Sequence, residues 1–344
     1  MTHPSTAIQP DGYVPVLKCK QGELKAIASA DADRLLPLVE MTDCDRAGAL
    51  AAAWPHVGHA ILVHPLNADG AEDADWAITL AQVFDELRLK GIEAVPVVTI
   101  DEGPATLAAV AAAASTDGRG VAVRLDAEDI ALQNAAALQA DVDALLAALG
   151  LAPDSVDLVV DCGLVRDSVV GRVTTAEAAL RTLPHLTDWR NLVTAFSAFP
   201  DLPGDMAAKG AITPLTRDDA SAYATLLSRS PSRTPTYGDY AVGVPTYSDV
   251  AWTPIPSIKY TIAAAWLMFR GRSRVDPSPQ YRQLAADVCA ATDYRGAGFS
   301  PGDAYYSAVA TGSVGPGNAT KYVEANTAHH LAHVLDSLAT HGVP

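Results

Sequence analysis

The sequence predicts a (β/α)8 barrel of the TIM type, an α/β fold, with a C-terminal hairpin-plus-helices extension. Three observations carry this. Short apolar runs rich in β-formers recur along residues 13–250, and each is followed by a helix-compatible stretch. The runs are apolar on both faces, as parallel strands covered by helices on each side must be. None is followed by GxGxxG or GxxxxGK[ST], the phosphate turns that the rival architecture, an open doubly wound sheet, would normally show.

The elements follow in order. Residues 1–12 form a polar lead-in with Pro4, Pro10 and Gly12. Strand one covers 13–20, with a short helix at 23–29 after Gly22. Strand two is 35–41, and Asp43 is placed to cap a helix reaching Ala53. Strand three, 59–64, is closed by Pro65. The clearest helix, 73–90, carries Trp76, Leu80, Val83, Phe84 and Leu87 on one face, and Gly91 ends it. Strand four at 93–100 precedes a helix at 104–115 with Pro near its start. Strand five is Val121–Asp126 and its helix Ala135–Leu149. Strand six at 156–161, a helix at 175–183, strand seven at 191–199 and the helix Asp218–Ser228 follow. The eighth strand falls at 237–244, weakened by Gly238 and Gly243.

Past residue 250 the texture changes. Residues 258–262 and 266–270 read as an antiparallel hairpin, with a single helix over 257–269 as the alternative, because Ala263–265 favour it. Helices are expected at 281–291, 304–310 and 320–338. The division is thus a lead-in at 1–12, a barrel at 13–250 and an extension at 251–344 packed on the barrel.

Composition bounds the setting. Forty acidic against 24 basic residues give a formal charge of −16. This disfavours unspecific nucleic-acid binding, which needs clustered Lys and Arg. Cys19, Cys44, Cys162 and Cys289 are far apart and form no CxxC pair, as in reduced cytosolic proteins. The first residues lack the pattern of a signal peptide, and no apolar run approaches the ~18 residues of a membrane span. The expected location is cytoplasmic.

In such a barrel the carboxyl ends of the strands converge on one mouth, where chemistry is carried. Polar residues there are Lys18, Lys20, Glu40, His64, Asp101, Glu102, Arg124, Asp126, Asp161, Ser197, Asp239 and Tyr240. Strand alternation puts Lys18 and Lys20 on the face of Val14 and Val16, and Glu40 on that of Leu36 and Leu38, so these can point inward. Arg124 and Asp126 have the parity opposite to Val121 and Val123, and alternation alone leaves open which set faces the helices. Lys18 is suited to hold an anion. Glu40, Asp126 and Asp161 offer oxygen ligands for a divalent metal ion or groups to move protons. Helix capping and salt bridging are the commoner duties of any one carboxylate at a strand end.

His329-His330 with His333 invites a metal reading, but no HExxH is present and adjacent histidines point about 100° apart on a helix. One histidine packed under the barrel and the others solvated is the plainer expectation. Cys19 faces away from its flanking lysines and reads as a buried thiol.

Several blocks, in this order and spacing, resemble the phage "beta protein" family. They are Tyr13-Val-Pro-Val-Leu-Lys-Cys-Lys-Gln-Gly-Glu23, Leu36-Pro-Leu-Val-Glu40 and Gly238-Asp-Tyr240. Further on come Lys259-Tyr-Thr261, Arg270-Gly271, Gln280-Tyr281, Phe299-Ser-Pro-Gly-Asp303, Gly317-Asn318 and His329-His330. The resemblance implies one full-length unit and a phage or anti-phage defence context, without an assigned reaction. It directs attention to Lys18, Lys20, Glu40, Asp239, Tyr240, Lys259, Tyr260, Arg270, Gln280, Asp303, Asn318 and His330.

The leading expectation is a barrel that binds a small anionic or phosphorylated ligand and acts as a hydrolase or phosphodiesterase. Lys18, Lys20 and Arg270 would hold the anion, with Glu40, Asp126, Asp161 or Asp239 catalytic. The other ligand contacts would be His64, Tyr240, Lys259, Tyr260, Gln280, Asp303, Asn318 and His330. The rival is a non-catalytic module that partners a separate effector such as a nuclease.

Overall fold

In the computed structural model, which describes residues 7–165, 168–201, 203–247 and 254–344, eight parallel strands close into a barrel. They are β1 (Tyr13–Lys18), β2 (Leu38–Met41), β3 (Ile61–Pro65), β4 (Ala94–Val98), β5 (Val121–Asp126), β6 (Val156–Leu164), β7 (Asn191–Ser197) and β9 (Thr236–Asp239). β9 pairs with both β7 and β1 and completes the ring. The helices around it are α1 (Gln21–Ile27), α2 (Ala47–Ala53), α3 (Asp73–Leu89), α4 (Pro104–Asp117), α5 (Ala127–Leu132), α6 (Ala135–Leu149), α7 (Val169–Thr182) and, after a short α8 (Pro203–Met206), α9 (Asp218–Ser228).

Two apolar layers hold the barrel. Small and branched residues of one parity fill the interior, among them Val14, Val16, Leu38, Leu62, Val97, Ala122, Val159 and Ala195. Residues of the other parity, such as Leu17, Val39, Val63, Val121, Val123 and Val160, pack against the helices. Val121 and Val123 are therefore the outward set, and Arg124 follows Ala122 toward the axis. The interior residues lie a level below the polar strand ends, so they form a floor beneath the mouth.

Between β7 and β9 the chain leaves the barrel to form β8 (Ile212–Thr216), a strand that the sequence pattern did not reveal. Pro214 interrupts its alternation, and proline confines a strand to a sheet edge. β8 is indeed an edge: it pairs antiparallel with β11 (Ala265–Arg270), which pairs with β10 (Ser257–Thr261), in the order β10-β11-β8. The hairpin, not the single helix, is what residues 257–270 form.

Helices α10 (Pro277–Ala290), α11 (Pro301–Thr311) and α12 (Ala319–His341) follow. With the hairpin they enclose a core of their own from Ile258, Tyr260, Phe269, Tyr281, Val288, Tyr306 and Tyr322. α12 lies along α1, and Gly22 lets them close. A Cβ there would stand 2.7 Å from Val323 Cγ1 and 2.9 Å from the Thr320 carbonyl oxygen. That close approach brings the first helix of the barrel against the C-terminal elements. Among the described residues no helix is long and apolar enough to cross a membrane.

Candidate active site

One arginine organises the mouth. Arg124 rises from β5 on the inward parity, and its guanidinium meets side chains from four other parts of the ring. Nη1 donates to Glu40 Oε1 at 2.7 Å and lies 3.2 Å from His64 Nδ1. Nη2 donates to Asp161 Oδ2 at 2.6 Å and to the Tyr240 hydroxyl at 2.6 Å, and Nε reaches Asp161 Oδ2 at 3.2 Å. The Tyr240 hydroxyl donates in turn to Asp161 at 2.5 Å. Glu40 Oε2 is buried without a partner among the described residues.

Local backbone features aim these groups. A register shift at Asp161/Gly163, with Gly163 at φ 62°, bulges the end of β6, and the Gly163 N–H anchors Asp161 Oδ1 at 3.0 Å. Past β9 the chain turns at Ala241, a non-glycine residue at φ 50° held by its N–H to Asp239 Oδ1 at 2.7 Å. That turn swings Tyr240 over the mouth.

The electrostatics follow from burial. Desolvation raises the Glu40 carboxyl above its usual range against the pull of Arg124. Burial, reinforced by Arg124, drives His64 down to about 3, so it is a neutral ring near pH 7. Burial also lowers Lys18 against the pull of Glu23 and Glu40. Lys18 lies inward and half-buried, its ammonium 4.5 Å from the Tyr247 ring centre and bonded to the Thr246 carbonyl. The Tyr247 hydroxyl donates to the Glu40 carbonyl at 3.0 Å, so the segment after Tyr240 covers the β1–β2 side of the mouth. The β4–β5 side opens as a groove of about 400 Å3 lined by Thr99, Asp101, Arg124, Asp126 and Gln133.

The structure thus brings Lys18, Glu40, His64, Asp161 and Tyr240 together. It corrects the placement of the others. Asp126 is exposed and caps α5, accepting from the Glu128 N–H at 2.7 Å. The expected metal trio of Glu40, Asp126 and Asp161 is therefore not assembled, and the Arg124 guanidinium holds the place between Glu40 and Asp161 that a cation would take. Among the described residues no group of three or more His, Cys, Asp or Glu side chains is arranged to hold a metal ion. Lys20 lies beyond the end of β1, exposed, 5.6 Å from the Tyr247 ring centre. Arg270 donates to the Gly204 and Ala207 carbonyls. Gln280 ties the 271–276 turn through the Arg272 N–H at 2.8 Å and the Val275 carbonyl at 2.6 Å. Asn318 caps α12.

Asp239 has the outward parity. Its carboxylate is 1% exposed and takes hydrogen bonds from the Tyr13 and Tyr237 hydroxyls, with His330 Nε2 at 3.0 Å. His330 Nδ1 lies 3.0 Å from Thr261 Oγ1. His329 bridges Asp303 Oδ2 and the Thr261 carbonyl, both at 2.8 Å, and the Tyr260 hydroxyl donates to Asp303 at 2.8 Å. Asp239, Tyr260, Asp303 and His330 therefore form a buried tether between barrel and C-terminal elements, away from the cup. His333 is buried as well, so the expectation of solvated histidines is corrected: all three are internal. Cys19 is a buried thiol, pushed up to about 11 by burial.

Sequence reasoning left out Glu23 and Tyr247, and it put Arg124 at the mouth without fixing which way its side chain points. Glu23 had a signal, the QGE that follows strand one; Tyr247 had none.

A model of the Beta protein family matches residues 13–336. The chain belongs to the Beta protein family. No curated protein matches it. Among solved structures, this Beta protein is similar to a mutant tryptophan synthase alpha-subunit from Pyrococcus furiosus, at 11% identity over 67% of this chain and 88% of that one, TM-score 0.39. It is also similar to the type I 3-dehydroquinate dehydratase of Clostridium difficile, at 12% identity over 66% and 83% of the two chains, TM-score 0.38. A biosynthetic arginine decarboxylase from Campylobacter jejuni aligns over 94% of this chain and 55% of its own, at 11% identity and TM-score 0.39.

Proposed function

We propose that this Beta protein binds a small anionic or phosphorylated ligand at the carboxyl end of its barrel and hydrolyses it as a phosphoester. The observation that carries this is Glu40. Arg124 grips one of its oxygens, while the other is buried at the mouth without a partner among the described residues. A carboxylate raised by burial is closer to the pKa that general-base work at neutral pH requires. In this reading Glu40 Oε2 takes a proton from an attacking water, the water oxygen bonds to phosphorus, and the ester oxygen departs with its electron pair and is protonated by solvent. Lys18, with the exposed Lys20 outside it, neutralises the charge that gathers on the phosphoryl oxygens. His64, Asp161 and Tyr240 keep the guanidinium fixed.

The test is hydrolysis of p-nitrophenyl phosphate and bis(p-nitrophenyl) phosphate by the purified chain. Glu40→Gln should lower turnover by at least ~100-fold, whereas Asp126→Asn should retain it. Absence of turnover above the blank with either ester would sink the hydrolase reading.

A second reading is a non-catalytic module in a phage or anti-phage complex, working with an effector such as a nuclease. It is favoured by the degree to which Arg124, Asp161 and Tyr240 satisfy one another, as in a structural plug. A stoichiometric partner recovered from the native operon, together with inert purified protein, would support it.

A further inference from the structure

Tyr240 also walls a second cavity, of about 150 Å3, between the barrel mouth and the C-terminal elements. Glu23 of α1 and Lys259 of β10 enter it, and α12 supplies one side through Ala319, Tyr322, Val323, Asn326 and Thr327. Those positions share one helix face. Along that face the character changes within a turn, from apolar at 319–323 to polar at 326–327.

The polar end is rich in donors. Asn326 Oδ1 accepts from the Lys259 N–H at 3.2 Å and the Tyr306 hydroxyl at 2.8 Å, which leaves its NH2 group for the cavity. The Lys259 ammonium has three hydrogens; the Val242 carbonyl at 3.2 Å takes one, and the Phe199 ring centre lies 4.1 Å away. At the apolar end Tyr281 and Tyr322 stack at 3.9 Å and 6°.

The lining carries one cation, Lys259, and one acid, Glu23. Lys18, Lys20 and Lys259 all act on Glu23 and offset its charge, while Glu40 and Asp201 also act on Lys18. Burial pulls Lys259 down to about 8 against Glu23, and pushes Glu23 up to about 7 against the three lysines. Both charges are thus poorly solvated where they stand. The volume exceeds the ~10–15 Å3 that one water needs. It is well below the ~300–1,000 Å3 of pockets that take drug-sized molecules.

We propose that this cavity binds a small organic anion, with its acid group on Lys259 and Asn326 and its planar or apolar part against the Tyr281–Tyr322 pair. The inference rests on the anionic-ligand reading for the sign of the ligand, but it assigns a different seat and a narrower class. A nucleotide is too large for it.

Calorimetric titration of the full chain with benzoate, phenyl phosphate and inorganic phosphate tests this. Saturable one-to-one binding of the two aryl acids is expected, with inorganic phosphate weaker by about tenfold or more for want of apolar contact. Lys259→Met should weaken the aryl acids at least about tenfold. Ala319→Phe, which leaves every charge in place, should abolish binding by filling the apolar end, and it decides the matter alone if Lys259→Met does not fold. No saturable heat up to about 10 mM aryl acid, or unchanged affinity in Ala319→Phe, would overturn the assignment. Benzoate has no phosphoester to cleave, so its binding is read independently of any chemistry at Glu40.

Discussion

Removing the Arg124 guanidinium is the sharpest perturbation of the mouth. The side chain is 12% exposed, and its two carboxylate partners are 4% and 14% exposed. Arg124→Met keeps much of the stem and strands two largely buried acids. Breaking a buried ion pair by removing one partner costs ~3–5 kcal/mol. Unfolding entropy of ~2.1 cal/mol/K per residue over this chain gives ~0.7 kcal/mol/K, so Tm should fall by about 4–7 °C. The loss depends on pH. Burial already raises Glu40, and Arg124 opposes the rise; without Arg124 the carboxyl rises further. A carboxyl raised in the folded state stabilises below its unfolded value, ~4.3, and that contribution disappears as pH increases through the folded value. The deficit should therefore be largest near pH 8 and shrink toward pH 5. Denaturant unfolding at both pH values measures it. Adding Glu40→Gln and Asp161→Asn to Arg124→Met should restore most of the loss, because the cost lies in orphaned charge. A loss under ~1 kcal/mol at pH 8, or a triple variant no better than the single one, would refute this reasoning.

Two further predictions concern the C-terminal tether. Neither ring nitrogen of buried His333 has a partner among the described residues, and burial with nearby Arg217 drives it down to about 2. His333→Leu should add ~1–3 kcal/mol near pH 7 by removing unsatisfied polar groups. The gain should grow as pH falls below ~6.5, where the unfolded chain binds a proton that the folded ring refuses; denaturant midpoints at pH 7 and 5 check this, and a lower midpoint at both would contradict it. For Asp239, burial pushes the carboxyl up, but His330, Arg217 and Tyr13 bring it down overall to about 2. A depressed carboxyl stabilises above its unfolded value, ~3.9, and that support is lost as pH falls toward 2. Asp239→Asn should weaken the protein at neutral pH and flatten its acid melting curve between pH 4 and 2; an unchanged acid slope would argue against the tether.

The strand pattern was legible because each barrel strand is a short apolar run ended by a polar residue, and most helices carried their own stops, such as Gly91 and Gly150. Lys18 and Glu40 could be aimed inward from parity alone, since their strands share a face with Val14, Val16, Leu36 and Leu38. Arg124 could not. β5 is apolar at Val121, Ala122 and Val123 alike, and a strand buried on both faces has no periodicity to read. β8 escaped because Pro214 breaks its alternation, and its pairing partner lies about fifty residues further along the chain. Asp126 and Asp239 looked like equivalents of Asp161, for all three were assigned to the polar mouth of the barrel. One caps a helix, one faces the outer layer, and only the third turns inward at a bulge.

The sequence by itself determined the repeating strand–helix unit, the parallel character of the sheet and the polar strand ends, because these depend on local propensity and on the period of side-chain burial. Tertiary structure decided which of two apolar faces became the barrel interior, and therefore that Arg124 is the centre of the mouth. It also decided that the separate sequence blocks holding Asp239, Tyr260, Asp303 and His329-His330 meet one another. Those outcomes depend on ring closure and on contacts between residues far apart in the chain, such as Tyr13 with Asp239, 226 positions away. No local pattern encodes them.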